Sequence, residues 1–281
     1  MTAVPPAAQT RTMSTAEAFQ IPLAVAESYE ATFVPRMFQE WAPHVLDAAH
    51  VGPGTSLLDV ACGTGIVART AVDRVGDDGT IIGVDLNGAM LTVARRVAPD
   101  VDWRQGDVAD LPFEDGTFDA VTCQMAMMFF PDRDRAVAEM IRVTRPGGWI
   151  GLAVPASLDA QPAYRPFVDI AARHSGPEAR ALLGSYWNCG DADELVAGLE
   201  QAGLGPVDRR TRTGTATFDS SDALVATEVE STPLIERIDE QTYARIRSDV
   251  GEALAHYTTP DGLFEIPFVG HVVGAQVPSA S

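Results

Sequence analysis

The chain has 281 residues, 46% of them hydrophobic, with a formal charge of −19; it is long enough for a large core, and its charge opposes a nonspecific grip on nucleic acid or anionic lipid. All 20 basic residues are arginines, which removes Schiff-base chemistry and lysine-dependent phosphate loops. Cys62, Cys123 and Cys189 stand far apart without a Cys-x-x-Cys pair, so neither a disulfide framework nor a metal site is signalled and a reducing, cytoplasmic setting is expected.

Residues 1–16 lack an apolar run and read as a disordered tail, and no later stretch approaches the roughly 20 apolar residues of a membrane span. Residues 17–50 read as helical pieces broken at Pro22, Pro35 and Pro43, with Tyr29, Phe33, Phe38 and Trp41 forming an aromatic series suited to a lid. After the Gly52-Pro53-Gly54 turn, strands are expected at Ser56–Ala61, Thr80–Leu86, Val101–Arg104, Phe118–Gln124 and Trp149–Val154. Helices are expected between them at Ile66–Val75, Ala89–Val97 and Arg133–Thr144. Strands alternating with helices need right-handed crossovers, so residues 51–155 should form a doubly wound, Rossmann-like α/β core.

Beyond Pro155 the pattern loosens. Residues 156–218 read as a cap segment followed by a helix at Ala192–Ala202 and a strand at Val207–Phe218. In residues 219–281, a helical insertion over Ser220–His256 precedes a β-rich stretch, Ile266–Gln276, apt for an edge hairpin. Both long segments exceed ordinary connections and are expected to cap the sheet.

In an open α/β sheet, ligands bind beyond the carboxyl ends of the strands, and the first strand-to-helix turn is the usual place. Here that turn carries Gly63, Thr64 and Gly65. Gly63-x-Gly65-x-x-Ala68 also fits a relaxed dinucleotide fingerprint, so the glycines alone leave a nicotinamide oxidoreductase open. Asp59, inside the strand, would repel a pyrophosphate and welcome an ammonium or sulfonium. Asp85, twenty positions after Gly65, is placed to accept from ribose hydroxyls, or else to cap the next helix. Asp107, in the acidic turn Gly106–Phe113, could accept from an adenine amino group while the next amide donates to a ring nitrogen.

Taken together and in order, DVACGTG, VDLN, GDVADLPF, FDAVTCQ and RPGGW give a chain that resembles the class I S-adenosylmethionine-dependent methyltransferases. The likeness spans Tyr29 to Val154 and is nearest the type 11 branch that includes the ubiquinone and menaquinone biosynthesis enzymes. It implies S-adenosyl-L-methionine as cofactor, S-adenosyl-L-homocysteine as product, and a seven-stranded sheet whose last strand is antiparallel, flanked by an N-terminal helical lid and helical cap insertions. It also implies a glycine loop at Gly63–Gly65, a ribose-binding Asp85, adenine-side contacts at Leu86, Met90, Asp107 and Val108, and Gln124 beside the methionine moiety. Tyr29 corresponds to an aromatic that closes over that moiety, and Phe38 is expected to join it.

In-line methyl transfer needs mainly positioning in a dry pocket, so no catalytic residue is assigned; His174 is the first candidate for a base. The run Met125–Phe130, and within it Met128, Phe129 and Phe130, could wall an apolar pocket for a small-molecule acceptor, aromatic or otherwise apolar. A same-fold enzyme that uses the bound cation for cyclisation or decarboxylation remains the alternative.

Overall fold

The computed structural model describes residues 20–279; the expected tail and the first residues of the expected lid lie outside them. The sheet has seven strands: β1 (Ser56–Val60), β2 (Thr80–Asp85), β3 (Asp102–Gln105), β4 (Phe118–Gln124), β5 (Thr144–Pro155), β6 (Val207–Phe218) and β7 (Phe264–Gln276). Their order is β3-β2-β1-β4-β5-β7-β6. Neighbours are parallel from β3 through β5, and β7 runs antiparallel to both β5 and β6. Sequence order reverses between β1 and β4, which makes the space past their carboxyl ends the natural ligand crevice.

The terminal strand is not at the edge. β7 is inserted between β5 and β6, and residues Val272–Ala275 are buried on both faces, which explains why this stretch is almost continuously apolar rather than alternating. β6 forms the edge, and its first half is exposed. The strand expected at Trp149 begins five residues earlier, because the Pro146-Gly147-Gly148 turn is absorbed as an irregularity in the β4–β5 pairing.

Helices α1 (Leu23–Ser28), α2 (Ala42–Ala48), α3 (Ile66–Val75), α4 (Gly88–Val97) and α5 (Arg133–Val143) accompany the first five strands. Pro22 and Pro43 mark helix starts, where a missing amide costs nothing. Pro35 breaks no helix: it sits inside a π-helical segment, Tyr29–Phe38, whose wider turn accommodates the ring. Helices α6 (Tyr164–Ser175) and α7 (Pro177–Gly184) fill the first long segment, α8 (Ala192–Gln201) precedes β6, and α9 (Ser221–Glu230) and α10 (Glu240–Ala253) lie between β6 and β7.

The N-terminal helices are tied to the core by charge. Glu27 pairs with Arg96 of α4 at 2.5 Å, Glu30 with Arg69 of α3 at 2.8 Å, and Arg36 with Asp219 at 2.7 Å. Trp41 is buried and meets Phe268 edge-on, so this aromatic belongs to the core.

Gly65 fixes how α3 meets the sheet. Its φ is +88°, and a Cβ there would fall 2.1 Å from the Trp103 ring. Gly65→Ala should therefore lower stability by about 2–4 kcal/mol through backbone strain and overpacking, read as a reduced urea midpoint.

Candidate functional site

A cavity of about 490 Å³ opens where β1, β2, β3 and β4 end, within the roughly 300–1,000 Å³ of small-molecule sites. β1 contributes Asp59 and the turn residues Ala61, Cys62 and Gly63; β2 contributes Asp85, followed by Leu86 and Asn87; Met90 comes from the first turn of α4. The β3 turn contributes Asp107 and Val108, and β4 contributes Gln124, Met125 and Ala126, with Phe129 and Phe130 beyond. Ile21, Tyr29 and Phe38 cover it from the N-terminal helices.

Backbone strain marks the two strands that flank the crevice. Ala61 and Met125, immediately after β1 and β4, both have φ of +51°, a conformation that costs a residue with a Cβ roughly 1–2 kcal/mol. Both line the cavity. Sequence reasoning placed Met125 in a candidate pocket run but marked neither bend, because only the pairing of β1 with β4 brings the two together.

Asp85 fastens the site. Its carboxylate accepts from the Gly63 amide at 2.7 Å and from the Asn87 amide at 2.7 Å. Helix α4 is capped instead by Asn87, whose side chain accepts from Ala89 and Met90, so the capping alternative for Asp85 falls away. Burial pushes the Asp85 carboxyl above the usual range, against the lowering effect of the two amides. A carboxylate has about four acceptor positions, so two remain.

Asp59 lies deeper. It accepts from the Thr122 hydroxyl at 3.0 Å and from the Ala68 amide at 3.2 Å. Desolvation nevertheless pushes its carboxyl up to about 7, with a contribution from Asp85. Tyr29 stacks on Phe38 at 5.5 Å, and burial, reinforced by Asp85 and Glu30, holds its phenol well above the ordinary value. Asp107 accepts from the Ala109 amide at 2.9 Å, so the turn's own bonds begin one residue past Val108. Gln124 donates to the Phe38 carbonyl at 3.0 Å, while its Oε1 is buried without a partner.

Twelve residues were expected at a cofactor site. Tyr29, Phe38, Asp59, Gly63, Asp85, Leu86, Met90, Asp107, Val108 and Gln124 come together in this wall, whereas Thr64 and Gly65 lie outside it. Gly65 serves packing against Trp103, and Thr64 is buried behind the turn. Of the expected pocket residues, Phe129 and Phe130 line the cavity and Met128 is in the core. His174 is bound to Asp249 at 2.8 Å and does not reach the wall. Asn87, Cys62 and Asp132 line it without having been singled out; of these only Asn87, just before a helix, carried a local signal.

Among the described residues the wall holds four aspartates, Asp59, Asp85, Asp107 and Asp132, and no arginine or histidine. Such a lining suits a ligand with a cation and several hydroxyls, and it repels pyrophosphate. The unpartnered Gln124 Oε1 adds an acceptor that an ammonium group fits.

Comparison with known proteins agrees. Residues 58–152 match the family described as a methyltransferase domain. The chain is 40% identical over 136 residues to nocamycin O-methyltransferase of Saccharothrix syringae, covering 47% of this chain and 48% of that protein. It is 30% identical to the ubiquinone/menaquinone biosynthesis C-methyltransferase UbiE of Idiomarina loihiensis, covering 62% of this chain and 76% of that one. Several curated relatives are matched over only about half of their length. Among solved structures, phosphoethanolamine N-methyltransferase 2 of Haemonchus contortus superposes with a TM-score of 0.60 at 16% identity, over 96% of this chain and 61% of that one; at that identity the likeness concerns the fold. The strand order, the acidic crevice and these relatives agree, and the chain belongs to the class I S-adenosylmethionine-dependent methyltransferases.

Proposed function

We propose that this chain transfers the methyl group of S-adenosylmethionine to a small apolar or aromatic acceptor. The observation that carries the reading is the wall of four aspartates without a counter-cation at the β1–β4 crevice. Bound there, S-adenosylmethionine supplies an electrophilic methyl carbon on a cationic sulfur.

The chain's own residues hold and enclose that group. Asp85, oriented by the Gly63 and Asn87 amides, keeps its remaining acceptor positions for the ribose hydroxyls. Asp107 and the Val108 amide address the adenine edge, with Leu86 and Met90 against its faces. Gln124 Oε1 would accept from the ammonium, and Asp59, which lines the same cavity, would supply negative charge toward it. Tyr29 and Phe38 exclude water and offer ring faces to the cation. The bare α-carbon of Gly63 leaves open space on the cavity side, with only the Tyr29 ring, 3.9 Å away, near where a Cβ would stand.

The relatives named above are a nocamycin O-methyltransferase and a ubiquinone/menaquinone biosynthesis C-methyltransferase, which supports a flat, apolar metabolite as acceptor. The half-exposed ring of Phe129 at the cavity mouth favours the same class.

Calorimetry with S-adenosylmethionine, S-adenosylhomocysteine and NAD tests the cofactor: the first two should bind and NAD should not, and binding of NAD alone would overturn the reading. Asp85→Ala should weaken S-adenosylhomocysteine at least tenfold, about 1.4 kcal/mol, with the fold retained by circular dichroism. Transfer of labelled methyl to a metabolite panel, with the product's mass raised by one methyl, separates transfer from cyclisation or decarboxylation.

Asp59 gives a pH prediction. Its folded-state pKa, about 7, exceeds its ordinary 3.8, so its contribution to stability is complete below pH 3.8 and is lost as pH rises through 7. Asp59→Asn, which can still accept from Ala68 and donate to Thr122, should be more stable than the ligand-free parent at pH 8 by roughly 2–4 kcal/mol. The two should be equal near pH 4, and saturating S-adenosylmethionine should close or reverse the gap at pH 8; thermal melts across that range check it.

A further inference from the structure

One side chain joins the cavity wall to its cover. Gln124 ends β4 and lines the cavity, and its amide is engaged at one end only. Nε2 donates to the Phe38 carbonyl at 3.0 Å, whereas Oε1 is closed to solvent and has no partner. The two residues are 86 positions apart, so this bond ties the sheet directly to the N-terminal helical segment. Phe38 is the residue at which that segment changes. It ends the π-helical stretch Tyr29–Phe38 and caps the short 3-10 turn Gln39–Trp41, which leads to the buried Trp41. The Phe38 ring lines the cavity stacked on Tyr29, whose own ring stands beside Gly63. π-helical turns of this kind recur at functional sites.

A primary amide has one donor end and one acceptor end. With Nε2 on the Phe38 carbonyl, the acceptor end is turned away from that carbonyl; the flipped amide would set two oxygens against each other. The link also works in reverse, because a donor on Oε1 holds the amide in the orientation that keeps Nε2 on Phe38. Among the described residues the cavity wall supplies no cationic donor for Oε1: its charged members are the four aspartates. The missing donor therefore has to come from a ligand.

We infer that Gln124 is a positioning residue through which the ammonium of a bound ligand fastens the Tyr29–Phe38 cover. This rests on the cofactor reading above. A ligand that carries the ammonium engages Oε1 and locks Nε2 onto the cover. A ligand without it leaves a buried acceptor unpaired and the cover held by the Phe38 bond alone. Gln124 thereby makes closure conditional: the cavity is sealed from water only when the amino-acid end of the ligand is seated.

The test uses the full chain with two saturating ligands: S-adenosylhomocysteine and its deamino analogue, in which hydrogen replaces the α-amino group. Both carry the adenosine, the thioether and the carboxylate. Amide hydrogen exchange is followed by mass spectrometry. The two ligands should protect Leu86–Met90 alike, while S-adenosylhomocysteine slows exchange across Tyr29–Phe38 about tenfold more than the analogue does. Gln124→Met, similar in length but without either amide end, should erase that difference. In calorimetry this variant should bind S-adenosylhomocysteine about tenfold more weakly than the parent and the analogue within about threefold of it. Equal protection of Tyr29–Phe38 by the two ligands in the parent overturns the inference, and a difference that survives in Gln124→Met overturns the assignment to this residue. Loss of analogue binding in Gln124→Met also overturns it, since the side chain would then serve the fold rather than the ammonium. Failure of both ligands to bind the parent overturns the cofactor reading, and this inference with it.

Discussion

Two backbone turns meet at the carboxylate of Asp85. By accepting from the Gly63 amide it fixes the glycine turn after β1 to the end of β2, and by accepting from Asn87 it sets the residue that caps α4. Two short charge-assisted bonds to backbone are among the stronger interactions available to a carboxylate. Here they hold a charge that burial resists. Burial raises the Asp59 carboxyl and the Tyr29 phenol and the Asp85 charge adds to both, so neighbouring groups share the same tension. The crevice is built as an excess of negative charge that a cationic ligand relieves.

The rest of the molecule shapes the space around that charge. Left-handed Ala61 and Met125 bend the chain away from the strand ends on either side of the crevice. The π-helical turn lets Tyr29 and Phe38 stack over it despite Pro35, and the ion pairs from Glu27 and Glu30 anchor that cover to α4 and α3. The Glu27–Arg96 pair is half-exposed and adds little, whereas the Glu30–Arg69 pair, 20% exposed on both sides, is the firmer tie. The insertion between β6 and β7 adds α9 and α10, whose Leu224, Val225, Ile246 and Val250 join the main core. One end of the sheet thus carries Asp59, Asp85 and Asp107 from three adjacent strands and their turns.

Much of the fold was legible in the residues themselves. The helix and strand periods over Ser56–Val154 carry the parallel half of the sheet, because a half-buried helix and a buried strand each impose their own spacing of apolar side chains. The motif order supplied the cofactor class and ten wall residues, since Gly63, Asp85 and Asp107 sit where strands end, a local property. The position of β7 was not legible as an interior strand: nothing in Ile266–Gln276 says that β6 pairs outside it, a contact joining residues about fifty apart in sequence.

The sequence by itself determined a lysine-free, strongly acidic α/β chain with a methyl-donor motif set, because composition and local period need no long-range contact to be read. Tertiary structure alone decided that Asp85 is a clamp rather than a helix cap, that Gly65 answers to Trp103 while Gly63 faces the cavity, and that Thr64 and Met128 stand behind the wall. It also decided that His174 is bound to Asp249. Each of these depends on which distant side chain fills the space opposite. That is fixed only when sheet order and helix packing bring residues tens to hundreds of positions apart into contact.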